Sequence, residues 1–538
     1  MKRMIRVTNK HQHHALHITH VVRSSIPWAL VLILAILIRT YNVTGTIRFR
    51  GDHGMDLLIV RAMEQEGHRP LVGPFLSLRG FYTPPTYYYL TWASYHLTKS
   101  IEGIVYINVA LNILTMLILM RLAYEMAGKG PALTAGLAFA VSSVMIVHAR
   151  NFWQPYHVQL FLALFLYLLW RAFAARSVKL LWAASASFFI ALSVYPSPLV
   201  LIPFVCYQVF RWYRTIAVRA PLSSLWHTLL TLALPAITVY MPQIIFEVTY
   251  AFPSLRHMDV DIASLPSLDR TLMRVGENAF YFLLSVTRIE SLFPQAAFYI
   301  ALFVLFIYWK VFPWDRIPRT IRSFLSPGAL IAGILVFILY TKDTYSHRTW
   351  AYFPFAFLFA GLGVSYGWMA NGAKRLVMVA IAALYITLNL AYITPSFTNP
   401  NSNEMKEARD IAWYVMDDMK AHDISASDMS LFHKIPDDPQ NGSYKIYRVL
   451  YFLVSEGALR LSINEHGNIP VFDYSQPKIR PHMYVMCQFF PSREAALEGC
   501  VAPVMQTTAY TVRKHSRIGT TEIFVLDTHT SRVTPARQ

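Results

Sequence analysis

The chain has 538 residues, of which 55% are hydrophobic and 14% are charged, and its mean hydropathy is +0.37. Soluble globular proteins carry about 25% charged residues, so this composition argues against a soluble protein and predicts an integral membrane protein. The net charge of +18 is explained by basic loops that orient the spans, and we expect no nucleic-acid partner.

The N-terminal tail, residues 1–25, is basic, and an apolar run follows it without a small-residue cleavage site. We therefore expect the tail to be retained on the cytoplasmic side, with the apolar run as the first membrane span. A spanning helix needs about 17–25 mostly apolar residues. Eleven segments come near that length, at 26–43, 103–124, 131–148, 157–174, 179–195, 197–213, 226–246, 294–311, 327–341, 350–369 and 375–394.

The stretch 84–98, "PPTYYYLTWASYHLT", is rich in Tyr and Trp, which favour the membrane interface over the hydrocarbon core. When this stretch is placed on the surface, every short loop on the side of the N-terminus is basic, as cytoplasmic loops are. The sequence thus predicts a polytopic α-helical membrane protein with about 11 transmembrane helices plus interfacial helices. Its N-terminus is expected inside and its C-terminus outside.

This topology divides the chain into the tail 1–25, a transmembrane domain 26–395 with a first outer loop 44–102, and a polar extracytoplasmic domain 396–538. The polar domain has stretches of helical spacing and strand-like stretches such as "HMYVMCQFF" and "TTEIFVLDT", which predicts a soluble α/β domain. Cys487 and Cys500 lie in it and either pair or stay free, because spacing alone does not fix their distance.

The motif "GDHGMD" follows the first span in the outer loop. Asp52 and Asp56 are four residues apart, so both carboxylates would share one face of a helix that starts near His53. Such carboxylates suit a general base that activates an acceptor hydroxyl or amine. They also suit a divalent metal ion, with Asp52 and His53 as candidate ligands. The alternative is an N-capping Asp on a solvated helix face.

Further candidate substrate-binding residues fall in other segments of the same predicted face. They are Arg79, Tyr82, Arg150, Glu247, His347 and Arg348. The basic members suit an anionic lipid phosphate, since Arg offers a bidentate fork. The alternative interpretation is that the basic side chains reach toward lipid headgroups and that Glu247 is a solvated carboxylate at the end of a span.

The sequence lacks the motifs that are typical of several other protein classes. We find no P-loop, no dinucleotide-binding fingerprint and no serine nucleophile elbow. Acidic residues are almost absent from the cores of the predicted spans, and we find no internal repeat. ATP-driven transport and ion-coupled transport are therefore disfavoured.

Three stretches carry a family resemblance: "FRGDHGMDLLIVRAM", "FYTPPTYYYL" and "HARNFWQPYHVQLFLALFLYLL". In this order they resemble the GT-C membrane glycosyltransferases, in the group of the protein O-mannosyltransferases and the lipid A aminoarabinose transferase. The resemblance covers residues 26–395 and is most specific over 48–175. It implies a GT-C fold, a sugar donor carried on polyprenyl phosphate, and transfer at the outer membrane face, usually with inversion.

The resemblance also implies a role for one of the two acids. Asp52 matches the first-loop acid of the family, which is implicated as base or metal ligand, whereas Asp56 is an additional candidate. His53 stands where a second acid is usual, and Pro155 is followed by Tyr156 instead of an acid. A metal ion held by acids from two loops is therefore not the favoured interpretation.

A further departure concerns the lipid phosphate. Many relatives carry Lys or His immediately before the Pro pair, but this chain has Thr83 there. We therefore expect Arg79, Arg150 or Arg348 to make the contact with the phosphate.

Together these patterns predict a glycosyltransferase that moves a sugar from a polyprenyl-phosphate carrier to a glycan, lipid or protein acceptor. The expected location is the bacterial cytoplasmic membrane, with the active site on the extracytoplasmic face. A transporter or flippase of lipid-linked sugars and a non-catalytic scaffold for envelope assembly are the alternatives.

Overall fold

The computed structural model describes twelve stretches of the chain. They are residues 25–76, 81–216, 221–252, 307–308, 310–332, 350–368, 372–398, 404–434, 439–459, 481–488, 492–507 and 510–528. The chain forms two compact units. We call them the helical unit (Met1–Tyr41, Phe75–Tyr87 and Ile104–Phe397) and the mixed unit (Asn42–Pro74, Tyr88–Gly103 and Thr398–Gln538).

These units do not follow the boundaries drawn from hydropathy. The loop 44–102 was assigned to the transmembrane domain, but most of it clusters with the C-terminal part of the chain. The polar C-terminal residues and the loop that carries "GDHGMD" therefore share one compact unit.

Among the residues that the structure describes, the helical unit contains helices and a short hairpin. The helices are Ser25–Thr40, Ile101–Ala127, Lys129–Val141, Ser143–Ala149, Gln154–Ala175, Val178–Val194, Ile202–Ile216, Pro221–Thr249, Arg319–Leu325, Phe353–Trp368 and Ala373–Thr398, with a 3₁₀ turn at Ser197–Leu201. Strands β1 (Phe75–Leu76) and β2 (Phe81–Tyr82) pair antiparallel.

Several of these helices have the length and composition of membrane spans. Among the described residues, four qualify: Ile101–Ala127, Gln154–Ala175, Leu229–Thr249 and Ala373–Pro395. A fifth is added if Lys129–Val141 and Ser143–Ala149 count as one bent span. Most of the predicted spans 294–311 and 327–341 lies outside the described residues, and the number eleven stays a prediction.

The surface of one of these helices is apolar. Leu230, Leu234 and Ile237 are 61%, 56% and 47% exposed. Soluble proteins rarely expose a continuous apolar surface of this kind, so the helix Pro221–Thr249 is suited to contact lipid.

One predicted span is broken in the middle. The helices Lys129–Val141 and Ser143–Ala149 meet at an angle of 66°. The fully buried Arg39 donates to the carbonyl oxygens of Phe139 and Ala140, where the first helix ends. The side-chain oxygen of Asn389 accepts from the main-chain nitrogen and hydroxyl of Ser143, where the second helix starts. The break is stable in an apolar setting because its main-chain groups have found partners.

The mixed unit is built around a four-stranded sheet. Its strands are β3 (Met429–Lys434), β4 (His482–Gln488), β5 (Tyr510–Ile518) and β6 (Thr521–Thr528), in the order β3-β4-β6-β5. β3 runs parallel to β4, and the other neighbours are antiparallel. The unit also contains helices Gly51–Gln65, Glu404–Ala421, Pro439–Ser455, Arg493–Ala496 and Ala502–Thr507, and most of Thr86–Thr98.

Side chains that alternate along β4 and β6 point to one side of the sheet and form the core of this unit. Met483, Val485 and Cys487 of β4, with Phe524 and Leu526 of β6, face one apolar cluster on one side of the sheet. The short helices after residue 492 close that cluster. Cys487 forms a disulfide with Cys500 across it, which resolves the pairing that spacing had left open.

The stretch predicted to lie at the membrane interface forms the helix Thr86–Thr98. Its 13 residues correspond to about 20 Å at 1.5 Å per residue. A bilayer core is about 30 Å thick, so this helix is too short to span it. Its length agrees with an interfacial position and supports leaving it out of the span count.

Candidate active site

The motif "GDHGMD" forms the first turns of the helix Gly51–Gln65, in the mixed unit. Asp52 lies in the first turn and is exposed, whereas Asp56, one turn later, is only 2% exposed. The spacing had placed both carboxylates on one face. In the structure they lie one turn apart on this helix but differ in their burial, and of the two only the Asp52 carboxylate is exposed.

The surroundings of Asp52 strengthen it as a base. Solvent reaches the side chain, but a large mass of protein surrounds it and disfavours the charged carboxylate. This desolvation raises the pKa of Asp52 above its ordinary value, and the nearby charge of Arg50 offsets only part of the effect. A carboxylate with a raised pKa accepts a proton more readily from an acceptor group.

His53 is engaged by the main chain. Its ring is 5% exposed, and its Nδ1 accepts a hydrogen bond from the main-chain N–H of Arg50 at 3.1 Å. The ring also makes a hydrogen bond with the backbone of Arg48. Burial, followed by the positive charge of Arg50, lowers the pKa of His53 to about 3, so the ring is neutral.

These contacts bear on the predicted metal ion. A ring whose two nitrogens serve the main chain has no lone pair to offer a metal ion. Among the residues that the structure describes, no group of three His, Cys, Asp or Glu side chains is placed to hold a metal ion together. His53 is therefore poorly placed to bind a metal ion beside Asp52, and a metal requirement stays a prediction.

Gly54 explains why a small residue is needed in this motif. A Cβ at this position would lie 2.5 Å from the carbonyl of Tyr447 and 2.6 Å from the nitrogen of Arg448. The helices Gly51–Gln65 and Pro439–Ser455 can approach this closely only because Gly54 has no side chain. Close helix packing therefore accounts for Gly54, and chemistry is left to Asp52.

Arg150, predicted to bind substrate, is buried in the helical unit with 5% of its surface exposed. Its guanidinium donates to the carbonyl oxygen of Tyr41 at 2.5 Å and stacks over the ring of Phe397 at 4.9 Å. Burial lowers its pKa to about 10, which leaves it protonated at neutral pH. Arg150 thus fixes the end of the first helix, and its role toward a phosphate stays a prediction.

The turn "HARNFWQPYH", predicted to lie on the outer face, is held by hydrogen bonds that the sequence did not reveal. His157 Nε2 lies 3.0 Å from Asn108 Oδ1, and the amide of Asn108 donates to the carbonyl oxygen of Asn151. Tyr87 donates its hydroxyl hydrogen to the carbonyl oxygen of Phe152. Asn108 had a signal in the sequence, because it is a polar residue inside an apolar span and recurs one turn later as Asn112.

Aromatic rings gather around His148 at this turn. His148 stacks on Tyr156 and lies against Trp350, each at 4.3 Å between ring centroids. Gln159 donates to the carbonyl oxygen of Trp350 at 2.8 Å. The starts of the helices Gln154–Ala175 and Phe353–Trp368 are thereby joined.

The remaining predicted residues fall into two groups. Tyr82 lies against the helix Pro221–Thr249: its carbonyl accepts from Gln243 at 2.7 Å, and its ring meets Phe246 edge-on. Glu247 is the next residue of that helix and is half-buried. Arg79, His347 and Arg348 lie outside the described residues.

Comparison with known proteins gives a likeness in fold. No family model matches the chain, and no curated protein matches it in sequence. Among solved structures it is similar to ArnT from Cupriavidus metallidurans bound to undecaprenyl phosphate, with TM-score 0.57, 13% identity, and 93% of this chain and 98% of that chain covered. The apo state of the same protein gives a TM-score of 0.56 at 13% identity and the same coverage. The chain has the fold of this protein, and the GT-C fold predicted from the sequence is confirmed.

Proposed function

We propose that this chain is a glycosyltransferase that moves a sugar from a polyprenyl-phosphate carrier to an acceptor hydroxyl or amine at the extracytoplasmic face of the membrane. The observation that carries the proposal is Asp52: an exposed carboxylate with a raised pKa in the first helical turn after the first apolar helix. The fold of ArnT, which was crystallised with undecaprenyl phosphate, supports a carrier of that class as donor.

The chemistry we assign is a single displacement. Asp52 takes the proton of the acceptor group while the acceptor oxygen or nitrogen attacks the anomeric carbon of the donor sugar. The bond from that carbon to the phosphate oxygen breaks, and polyprenyl phosphate leaves with the bonding electrons. One displacement inverts the anomeric configuration. The negative charge that develops on the phosphate needs donors that are already in place.

We assign those donors first to Arg79, His347 and Arg348. Arg150 already donates to a main-chain carbonyl and is buried, so we give it a supporting role. The ring of Tyr82 contacts Phe246, which precedes Glu247 in the helix Pro221–Thr249. We propose that Tyr82 and Glu247 contact the sugar.

Two features support the proposed compartment. Disulfides persist in oxidising compartments, and the disulfide between Cys487 and Cys500 in the mixed unit supports an extracytoplasmic location. The basic loops on the side of the N-terminus support the same orientation. A bacterial cytoplasmic membrane meets both conditions.

The direct test is Asp52→Asn, with Glu66→Gln as a matched control. Glu66 is an exposed acid just beyond the end of the same helix. Purified protein is incubated with a panel of radiolabelled undecaprenyl-phosphate sugars and membrane acceptors, and both glycosidic product and free undecaprenyl phosphate are measured. Loss of a general base costs about 10²–10⁴-fold in rate, so we expect that loss for Asp52→Asn and wild-type turnover for Glu66→Gln.

Two outcomes would reject the proposal. Wild-type turnover by Asp52→Asn would remove Asp52 from the chemistry. Movement of the lipid-linked sugar across proteoliposomes without glycosidic product would indicate a flippase instead.

A further inference from the structure

The start of the helix Gly51–Gln65 is closed by an unusual residue. The first main-chain N–H groups of a helix have no partner within it. In the common capping box, a Glu or Gln at the third helical position reaches back to the N–H of the residue that precedes the helix. Here Arg50 precedes the helix and His53 occupies that third position. The imidazole Nδ1 accepts from the Arg50 N–H at 3.1 Å.

We infer that His53 is a positioning residue for Asp52, a neutral imidazole cap that holds rigid the single helical turn from which the Asp52 carboxylate projects. This inference rests on the proposed function of Asp52 as the base. We do not place His53 in contact with the substrate. It acts by fixing the backbone of Arg50, Gly51 and Asp52.

The His53 ring makes hydrogen bonds with two main-chain groups, which explains why a histidine occupies this position. The ring accepts from Arg50 through one nitrogen and makes a second hydrogen bond with the backbone of Arg48. A neutral imidazole has one acceptor and one donor, whereas a carboxylate only accepts. His53 can therefore bridge two main-chain sites that a Glu at this position would join at one site only.

The surroundings keep the ring in the form that the cap requires. His53 is almost fully buried, and Arg48 and Arg50 flank it. Both burial and these charges oppose protonation, so the pKa of His53 falls to about 3. A protonated ring would lose the acceptor that Arg50 needs. The cap is consequently intact over the whole range in which a base such as Asp52 can work.

Replacing His53 with Gln tests whether His53 acts through its capping hydrogen bond or only by filling space. Gln offers one acceptor and two donors and is a usual capping-box residue. We therefore expect His53→Gln to keep the cap and His53→Ala to remove it. The control is His96→Ala, which removes an exposed imidazole from the same unit.

The kinetic arm uses full-length protein with the donor and acceptor found in the Asp52 experiment. A misplacement of about 1 Å can cost on the order of 10²-fold in rate, so we expect kcat of His53→Ala to fall about 10–100-fold. The KM for the lipid donor should stay close to that of the wild type. His53→Gln should recover most of kcat, and His96→Ala should match the wild type. Adding His53→Ala to Asp52→Asn should cost nothing further, because His53 acts through Asp52.

The structural arm does not depend on activity. Hydrogen exchange followed by mass spectrometry reports the protection of amides 50–54. We expect faster exchange there in His53→Ala and wild-type exchange in His53→Gln. Wild-type kcat in His53→Ala, or equal losses of kcat in His53→Ala and His53→Gln, would overturn the inference. If Asp52→Asn proves active while the exchange pattern appears as expected, the base assignment fails and the cap alone stands.

Discussion

At the scale of single residues, the structure distinguishes two acids that the sequence treats alike. Asp52 and Asp56 are one helical turn apart, and periodicity places both on one face. Their exposure differs: Asp52 is exposed, whereas Asp56 is 2% exposed. Burial depends on parts of the chain that are distant in sequence, which local spacing does not reveal. The choice of Asp52 over Asp56 needed either the family resemblance or the fold.

The raised pKa of Asp52 has a consequence for stability. A carboxyl whose pKa is higher in the folded chain binds its proton more tightly there than in the unfolded chain. The stability that this supplies is present at low pH and is lost as the pH rises through the folded-state pKa. At neutral pH the charged Asp52 therefore works against folding.

We predict that Asp52→Asn slows transfer by about 10²–10⁴-fold without lowering the melting temperature at pH 7.5. The neutral amide avoids the cost of a desolvated charge, so the melting temperature should equal or exceed that of the wild type. The difference should shrink as the pH falls below the ordinary range of Asp. Thermal unfolding in detergent between pH 4 and pH 8 measures this, and a lower melting temperature for Asp52→Asn at pH 7.5 would contradict it.

The same residue sets the pH dependence of turnover. Asp52 must be ionised to act as a base, so activity should rise with pH through its pKa. Because desolvation raises that pKa, the acidic limb of kcat/KM should lie above the ordinary value for Asp, which is about 3.9. An acidic limb at or below the ordinary pKa of Asp would show that Asp52 is not the base.

At the scale of elements, the contact between the helices Gly51–Gln65 and Pro439–Ser455 depends on Gly54. We predict that Gly54→Ala destabilises the mixed unit by about 1–3 kcal/mol, the usual cost of forcing extra atoms into a packed contact. The new methyl group would meet main-chain atoms of Tyr447, which cannot move aside as a side chain can. The matched control is Gly328→Ala, since a Cβ there meets nothing within 4 Å. Equal melting curves for the two variants would show that the helices do not touch as closely as described.

A buried ion pair joins another helix of the mixed unit to its sheet. The Asp418 side chain, on the helix Glu404–Ala421, is fully buried and accepts from Arg513 of β5 at 2.7 and 3.2 Å. Tyr484 of β4 donates to the same carboxylate at 2.8 Å. Burial acts to raise the pKa of Asp418, but these hydrogen bonds outweigh it and hold the pKa below its ordinary value.

A lowered pKa gives the opposite dependence on pH from that of Asp52. The stability it supplies is present above the ordinary pKa of Asp and is lost as the pH falls through the folded-state pKa. We predict that Asp418→Asn costs about 3–5 kcal/mol at neutral pH, as expected when one partner of a buried pair is removed. Hydrogen exchange of β4–β6 across pH 3–8 should show a smaller pH dependence in this variant.

Asp423→Asn serves as the control for that experiment. Asp423 is exposed and has a positive φ of 55°, a conformation that Asn tolerates well. It should leave both the stability and its pH dependence unchanged. A pH dependence of Asp418→Asn as steep as that of the wild type would mean that other carboxyls govern acid unfolding.

Sequence patterns predicted some elements and missed others for identifiable reasons. The stretches assigned to strands lie in β4 and β6, where apolar residues alternate or run together. β5 was missed because it is an edge strand whose "RKHSR" is charged, and charge at an edge is common. The break at Ser142 was missed because hydropathy runs through it. The groups that hold that break, Arg39 and Asn389, are distant in the sequence.

At the scale of the whole molecule, hydropathy identifies apolar helices but not the compact units. The loop 44–102 was grouped with its neighbouring spans, yet residues 42–74 and 88–103 cluster with the C-terminal residues. Contacts such as that from Glu404 to the main-chain N–H of Phe49 join residues 355 positions apart. A hydropathy profile averages over neighbours in the chain and has no access to such pairs.

The orientation of the chain in the membrane is a prediction that depends on one short helix. If Thr86–Thr98 stays at the interface, the basic loops fall on the side of the N-terminus, and Cys487 and Cys500 fall outside. If it spanned, every later loop would change sides. A helix of 13 residues reaches about 20 Å, so we expect the first arrangement.

In a bacterial host, alkaline phosphatase fused after residue 538 should be active, and a fluorescent protein that folds only in the cytoplasm should be bright at the N-terminus. In a Cys206→Ser background, a membrane-impermeant maleimide should label the variant Asp423→Cys, at an exposed position of the mixed unit, in intact cells. Labelling that requires cell lysis, or an inactive phosphatase fusion that is expressed in full, would place the mixed unit and Asp52 on the cytoplasmic side and so rule out transfer at the outer face.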